Sequence, residues 1–248
     1  MNPLLGEFIG TMLLVIFGDG VVANVVLNQT KGQNSGWIVI TTGWAMAVAI
    51  GVYAVSPISG AHINPAVTIG LAVIGKFPWP NVGGYLIAQL VGAFVGGILV
   101  WAAYRRHFEK TDNAALKLAV FSTGPAIRDY TANVITEIIA TFTLVFGVLT
   151  MWAPGNLGKG GFSSALGPFL VTLLVYGIGL SLGGPTGYAV NPARDLGPRI
   201  AHALLPIPGK GGSDWAYCWV PVVGPIIGGI LGALLYSACG FGAAPAVS

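Results

Sequence analysis

Two copies of an Asn-Pro-Ala tripeptide are the residues of this chain whose types and spacing point most directly to chemistry. The first copy is Asn64, Pro65 and Ala66, and the second, 127 positions later, is Asn191, Pro192 and Ala193. Asparagine is a favoured helix N-cap, and proline is tolerated in a first helical turn, where its missing N–H would be unpaired anyway. One copy is therefore an ordinary helix start. Two copies at matched places predict two helix N-termini that act together.

Two glutamates lie inside long apolar stretches, Glu7 and Glu137, and each is followed four residues later by a threonine. A carboxylate in such a setting is costly unless it is paired. As proton or ion sites, these acids would make the chain a coupled transporter; as hydrogen-bond acceptors, they would hold backbone amides in place. The residues alone leave both interpretations open. A third acid, Asp19, has no counterpart in the second half, and the sequence gives no account of it.

Other kinds of chemistry lack their parts. Gly158-Lys159 is followed by glycine where a phosphate-binding loop needs Ser or Thr, and no nucleophile elbow or HExxH motif is present. The three histidines have no partners at metal-ligand spacing, so we predict no metal and no cofactor. The net charge is +3, from 11 basic and 8 acidic residues that are scattered along the chain. No basic run is dense enough to bind nucleic acid. The sequence therefore predicts that the chain is not an enzyme.

The elements that carry these motifs are those of a membrane protein. Only 8% of the residues are charged, against roughly 25% in an ordinary soluble domain. Apolar stretches close to the length of a bilayer crossing recur at 4–27, 37–56, 82–104, 134–152, 166–182 and 216–238. Because lipid offers no hydrogen-bond partners, each stretch must satisfy its own backbone, which predicts six transmembrane helices.

The second half of the chain repeats the first. Residues 88–99, AQLVGAFVGGIL, align with residues 220–231, VPVVGPIIGGIL. In each half of the chain this stretch follows the Asn-Pro-Ala copy, so the two matches occur in the same order. Three crossings per repeat turn the second copy upside down, which is an inverted repeat. Short apolar segments at 64–74 and 191–205 are predicted to be re-entrant half-helices that meet at mid-membrane. We predict one channel domain over 1–248, with repeats at 1–115 and 130–248 joined by a linker at 116–129.

The signatures SGAHINPAV at 59–67 and GYAVNPARD at 187–195 make the chain resemble the aquaporin superfamily, or major intrinsic proteins, over almost its whole length. Asp195 and Pro221 make it similar to the aquaglyceroporin branch, which includes the bacterial glycerol uptake facilitators. The resemblance implies an all-α membrane protein, a right-handed bundle of six transmembrane helices and two re-entrant half-helices. It also implies a passive channel for glycerol and similar small uncharged solutes, with some water, that excludes ions and protons.

The resemblance assigns roles to individual residues. Asn64 and Asn191 would donate to the permeating molecule, while Glu7 and Glu137 would be structural acceptors. The narrow selectivity filter would consist of Trp44, Gly179, Tyr188 and Arg194. A ladder of acceptor carbonyls would come from an extended backbone before each half-helix, at Gly60, Ala61, His62 and Ile63 and at Gly187, Tyr188, Ala189 and Val190.

Some alternatives stay open. Strict water channels carry histidine where this chain has Gly179, and glycine leaves room for a carbon backbone. Tyr188 stands where glycerol facilitators carry phenylalanine, and its hydroxyl could narrow the opening or add a hydrogen bond. A facilitator of lactic acid, a water-selective pore and an ion-coupled secondary transporter are therefore the rival functions. Trp44 and Tyr188 could also be aromatic residues of the membrane interface.

The resemblance further implies partners and a location. Glycerol, water, dihydroxyacetone, lactic acid and urea are the candidate solutes, and the family usually forms homotetramers in the cell membrane. The family places both termini in the cytoplasm, which leaves only Lys76 and Lys159 in the inner loops. The positive-inside rule predicts the opposite orientation; we follow the family.

Overall fold

The computed structural model describes residues 2–153 and 162–241, with the side chains of 162–165 excepted. Gly158, Lys159 and the chain after Phe241 therefore lie outside the described residues. Over the described part the chain is all-helical. The helices in order are α1 (Pro3–Val26), α2 (Trp37–Ser59), α3 (Pro65–Val73), α4 (Trp79–Lys110), α5 (Ala114–Phe121), α6 (Tyr130–Met151), α7 (Phe162–Leu182), α8 (Pro192–Leu204) and α9 (Val220–Ala238).

The predicted membrane helices are present. Five of the described helices, α1, α2, α4, α6 and α9, are long and apolar enough to cross a bilayer. The sixth span, α7, is 21 residues long, with its apolar part at 166–182. The short helices α3 and α8 match the predicted half-helices to within a residue at each end. The prediction of an all-α membrane bundle is confirmed.

Several helix boundaries differ from the sequence prediction, and one helix was not predicted. Helix α4 runs on to Lys110 because its last turns are amphipathic and carry the ion pairs of Glu109 with Arg105 and Arg106. Helix α9 begins at Val220, because the residues before it form turns in which the Tyr217 amide donates to the Asp214 carbonyl. The linker contains α5, an eight-residue helix that the apolar pattern did not indicate.

Helix packing follows the repeat. Helix α1 packs on α2 and α4, and its counterpart α6 packs on α7 and α9. Each half-helix packs on the last span of the opposite repeat, α3 on α9 and α8 on α4. The two repeats are thus interlocked, and neither half-helix is held by its own repeat alone.

Two equivalent glycines permit this interlocking. A Cβ on Gly97 of α4 would lie 3.2 Å from the Cα and Cβ of Pro198 in α8, and one on Gly229 of α9 would lie 2.7 Å from the carbonyl oxygen of Ala66 in α3. Small residues let membrane helices approach closely. Any side chain at either position would push a half-helix away from its seat.

The outer turns of α8 are held by charged side chains. Asp195 and Arg199 form an ion pair at 2.8 Å with both side chains fully buried, and Asp195 also accepts from the amide and the hydroxyl of Thr123 at 2.7 Å each. At the C-terminus of α8, the Nζ of Lys210 donates to the carbonyls of residues 202, 203 and 205. Burial lowers the pKa of the Lys210 ammonium, while the carbonyls at this helix end favour its charged form. These contacts fix α8 to the linker and to the loop before α9.

Candidate functional site

The two predicted asparagines meet at the centre of the bundle. The Nδ2 of Asn64 donates to the carbonyl of Val190 at 2.8 Å, and the Nδ2 of Asn191 donates to the carbonyl of Ile63 at 2.8 Å. Each Oδ1 caps its own half-helix, since it accepts from backbone amides of the first turn. An amide nitrogen carries two hydrogens. Each asparagine therefore keeps one N–H for a molecule in the space between them.

The backbone before each half-helix was expected to be extended, but the structure has left-handed residues there. Ala61 and Ile63 have positive φ angles of 50° and 43°, and their counterparts Tyr188 and Val190 have 40° and 45°. Left-handed conformations cost roughly 1–2 kcal/mol for residues with a Cβ. They persist only where the surroundings fix them. The matched angles show that both repeats build the same strained approach.

Glu7 fixes the first approach. Its Oε1 accepts from the hydroxyl of Ser59 at 2.7 Å and from the amide of His62 at 2.9 Å. Its Oε2 accepts from the amide of Ile63 at 2.6 Å and from Nε2 of Gln89 at 2.7 Å. Four donors around one buried carboxylate remove most of the cost of burying its charge.

Glu137 fixes the second approach in the same way. Its Oε1 accepts from the hydroxyl of Thr186 at 2.7 Å and from the amide of Ala189 at 2.9 Å, and its Oε2 accepts from the amide of Val190 at 3.0 Å. The contacts of Glu7 and Glu137 therefore correspond to the second of the two interpretations of these acids, in which they are hydrogen-bond acceptors that hold backbone amides in place.

The same bonds direct the carbonyls. In a trans peptide the C=O of one residue points opposite to the N–H of the next. Because the amides of residues 61–63 and 188–190 point to the acids and their hydroxyl partners, the carbonyls of 60–62 and 187–189 point away from them. The carbonyls of Ile63 and Val190 differ, since each accepts from an asparagine.

A cavity of about 450 Å³ passes between the two approaches. It runs from a mouth at Lys76 and Trp152, past the asparagines, to Trp44, Tyr188 and Arg194. Most of its wall is apolar, and the polar strip consists of the approach loops. All the predicted carbonyl residues line it except Gly187. The prolines and alanines of the Asn-Pro-Ala copies lie in the helix starts behind the wall.

Three of the four predicted filter residues come together at one end of this cavity. The guanidinium Cζ of Arg194 lies 3.9 Å from the centre of the Trp44 ring, within cation–π range. Tyr188 forms the adjacent wall, and all three side chains are buried. The guanidinium of Arg194 makes no hydrogen bond to protein in the described part of the chain, so its donors are free for a solute.

The fourth predicted residue, Gly179, stands behind the wall. A Cβ at this position would lie 2.9 Å from Cζ and 3.0 Å from Oη of Tyr188. The space that glycine leaves is therefore taken by the tyrosine ring and does not widen the opening directly. The hydroxyl of Tyr188 is buried without a partner among the described residues, so it does not face the cavity.

Trp37 also contacts this group of residues, although the sequence did not predict a role for it. Its Nε1 donates to the carbonyl of Gly179 at 3.0 Å, and its ring meets Tyr188 edge-on at 5.9 Å between centroids. The signal was available, because Trp37 lies seven residues before Trp44 and hence on the same face of α2.

Two polar side chains line the opposite half of the cavity. The Nδ1 of His62 lies 3.1 Å from the hydroxyl of Thr68, and its ring packs on Phe77 and Tyr85. Lys76, at the mouth, lies over the ring of Tyr236 and donates to its hydroxyl at 3.3 Å. Both are held by neighbours rather than free in the cavity. Among the described residues, no cluster of His, Cys, Asp or Glu could hold a metal ion.

The two repeats have the same helix arrangement, but they carry different residues at the four predicted filter positions. The alignment of the two Asn-Pro-Ala copies gives each filter position a counterpart in the other repeat: Val67 for Arg194, Val171 for Trp44, Ala61 for Tyr188 and Val52 for Gly179. All four counterparts line the cavity. They are small and uncharged, so Arg194 is the only charged residue at these eight compared positions.

Comparisons with known proteins agree with this architecture. A family model described as major intrinsic protein matches residues 1–236. The probable glycerol uptake facilitator protein of Thermotoga maritima is 64% identical over 237 residues, covering 96% of this chain and 99% of that protein. The glycerol uptake facilitator protein of Bacillus subtilis is 54% identical over 238 residues, covering 96% and 85%.

A solved structure agrees as well. The X-ray structure of the aquaglyceroporin from Plasmodium falciparum has a TM-score of 0.83 and 33% identity, and the match covers 94% of this chain and 93% of that one. Two interlocked repeats, opposed half-helices and a matching family model over nearly the full length lead to one conclusion. The chain belongs to the major intrinsic protein family.

Proposed function

We propose that this chain is a passive membrane channel for glycerol and other small uncharged solutes, with some water. The observation that carries the proposal is the pairing of Asn64 and Asn191 across the centre of a cavity that is apolar on one side and polar on the other. The names of the relatives, several of which are glycerol uptake facilitators, support the same solute class.

The cavity wall suits a polyol. Such a molecule has hydroxyls along one edge of a carbon chain and CH groups along the other. Approach-loop carbonyls can accept from the hydroxyls, and the asparagines and Arg194 can donate to them. The apolar side chains opposite contact the carbon edge. Urea and dihydroxyacetone also fit a wall of this kind.

Cations meet an electrostatic barrier at two levels. The N-termini of α3 and α8 both face the asparagines, and each carries the equivalent of roughly half a positive charge. Arg194 adds a full charge at the constriction. A neutral hydroxyl can accept hydrogen bonds at the same places, so the barrier discriminates by charge.

The buried acids favour an uncoupled channel over an ion-coupled transporter. Glu7 and Glu137 already accept from four and three donors. A proton or cation bound there would break the contacts that hold both approach loops. Transport coupled to these sites would therefore require both approach loops to lose and regain these contacts in every transport cycle.

The filter roles of Trp44, Tyr188 and Arg194 are part of the proposal. The hydroxyl of Tyr188 faces away from the cavity, so the wall behaves like a phenylalanine. The departure from the glycerol branch that left lactic acid open therefore carries little weight for selectivity. Gly179 acts through Tyr188, whose position it permits.

A membrane location and an oligomeric assembly are also part of the proposal. Lys117 contacts the loop after α8, Arg128 pairs with Asp214 in that same loop, and Lys210 caps the C-terminus of α8, so these three positive charges lie at the end of the bundle where α8 ends. The family resemblance puts that end outside the cell, with the termini cytoplasmic and the chain in the cell membrane. A homotetramer with one pore per subunit is the family pattern, and apolar side chains exposed along every span are available for lipid or subunit contacts.

The function is tested in proteoliposomes containing the full chain. In a hyperosmotic glycerol gradient, stopped-flow light scattering should show rapid shrinkage followed by fast reswelling, linear in gradient and indifferent to pH and sodium. A panel of glycerol, dihydroxyacetone, lactic acid, urea and water sets the solute range. Shrinkage without reswelling would indicate a water-selective pore. Saturable, ion-dependent uptake would indicate a transporter.

A further inference from the structure

Trp37 is the first residue of α2, and its side chain reaches the end of another helix. Its Nε1 donates to the carbonyl of Gly179 at 3.0 Å. Gly179 lies in the last turn of α7, which ends at Leu182. The C-terminal end of a helix carries a partial negative charge, which favours a donor there. An indole has one N–H to donate, and this bond uses it to join the start of α2 to the end of α7.

The ring of Tyr188 lies in a closely fitting slot behind the cavity wall. Two glycines four residues apart leave room for it. A Cβ on Gly179 would lie 2.9 Å from Cζ of the tyrosine, and a Cβ on Gly183 would lie 2.6 Å from its Cδ1. The ring of Trp37 meets the tyrosine edge-on, with 5.9 Å between centroids. The same Cβ on Gly183 would lie 2.6 Å from Cζ2 of Trp37, so both rings pack directly on the backbone at the end of α7.

Backbone contacts alone do not place the ring of Tyr188. Its amide donates to the hydroxyl of Thr186 at 3.3 Å, and the two amides after it donate to Glu137. These bonds fix where the side chain begins, but the side chain can still choose among rotamers. Packing therefore decides where the ring stands, and the indole of Trp37 is part of that packing.

We propose that Trp37 is a positioning residue of the filter: it holds Tyr188 against the cavity and thereby sets the width of the opening. The inference rests on the proposed function, in which Tyr188 is a filter wall. Within the described part of the chain, the residues that line the cavity do not include Trp37. It therefore acts on a solute through Tyr188. Without the indole, the tyrosine ring can move back into the vacated space, and the opening widens.

An anchoring role at the membrane interface is the competing explanation for Trp37. Its side chain is 38% exposed, and tryptophan is enriched where a membrane meets water. An anchor would add stability without affecting which solutes pass. Trp79 offers a matched control, because it begins α4 as Trp37 begins α2 and is 58% exposed.

The test compares a five-carbon polyol with glycerol in the same proteoliposomes, by stopped-flow reswelling. Both fluxes come from the same folded channels, so their ratio does not depend on the yield of a variant. We expect Trp37→Ala to raise the ratio of polyol to glycerol permeability by about threefold. Trp79→Ala should leave the ratio at the wild-type value. If Trp37→Ala does not fold, Trp37→Leu serves the same comparison, since it also removes the ring and the donor.

A double-mutant cycle tests the route through the tyrosine. Tyr188→Ala removes the ring that Trp37 supports, so adding Trp37→Ala to it should not change the ratio further. An unchanged or lowered ratio in Trp37→Ala alone overturns the proposal and leaves Trp37 as an anchor. An equal rise with and without the tyrosine also overturns it, because Trp37 would then act by another route. Failure of the proposed function is distinct, since it appears as absent glycerol flux in the wild type itself.

Discussion

The guanidinium of Arg194 rests directly on the indole of Trp44, with Cζ 3.9 Å from the ring centre. A carbon group placed between the two would need roughly 7 Å, two van der Waals contacts of 3.5 Å or more. The two main walls of the proposed filter, Arg194 and Trp44, are therefore in contact with each other. A passing polyol must exchange contacts with Arg194, replacing the aromatic face by its own hydroxyls as it moves through.

Removing this aromatic wall should loosen solute selection. We expect Trp44→Ala to raise the permeability of a five-carbon polyol relative to glycerol by about fivefold or more, because the wall that limits solute width is gone. Stopped-flow reswelling with both polyols measures the ratio. Trp79→Ala, at an exposed tryptophan on the bundle surface, is the matched control. An unchanged ratio in Trp44→Ala would place the width limit elsewhere.

The hydroxyl of Tyr188 should be dispensable. Because its Oη is buried without a partner in the described structure, Tyr188→Phe removes an unsatisfied polar group and should stabilise the protein by about 1 kcal/mol. The ratio of glycerol to water permeability should stay the same. Thermal unfolding in detergent and stopped-flow flux measure the two effects. A shifted ratio would mean that the hydroxyl reaches the permeating solute.

Gly179 and Tyr188 should behave as a coupled pair. A methyl group at Gly179 would press on the tyrosine ring, with 2.9 Å to its Cζ, and push it towards the lumen. We expect Gly179→Ala to lower glycerol flux severalfold and the added change Tyr188→Ala to restore it. Gly179→His should abolish glycerol flux for the same reason. Independent, additive effects of the two alanine changes would argue against the contact.

Glu7 should matter for folding more than for conduction. Glu7→Gln replaces one acceptor oxygen by a donor, so at least one backbone amide of the approach loop loses its partner. We expect a loss of roughly 2–4 kcal/mol in stability. The control is Glu109→Gln, which breaks only surface ion pairs. Unfolding temperature and purified yield give the first comparison. Normal stability with abolished flux per folded channel would contradict the structural role.

The sequence predicted those parts of the molecule that follow from local pattern. Each span is a long apolar run, and an Asn-Pro pair marks the start of each half-helix. The chain repeat then required Asn64 and Asn191 to face each other. Helix α5 escaped because eight residues with one lysine are too short to form a recognisable pattern.

What the sequence could not give was contact between distant side chains. Three contacts depend on how α2, α7 and α8 pack. Tyr188 fills the space at Gly179, Trp37 donates to the carbonyl of Gly179, and Arg194 lies on the ring of Trp44. The left-handed angles at Ala61 and Tyr188 could not be predicted either, because residues with a Cβ rarely adopt them unless the surrounding structure holds the backbone there.

Because Val67 and its small apolar neighbours occupy the places that correspond to the filter, the two mouths of the pore are unequal. A molecule too wide for the constriction is stopped at once if it arrives from the Arg194 side. On the Lys76 side the matching positions carry only valine and alanine, so it can enter the cavity from there. Such a molecule would plug the channel from one face of the membrane only, so inhibition of this pore is inherently sided even though flow through it is not.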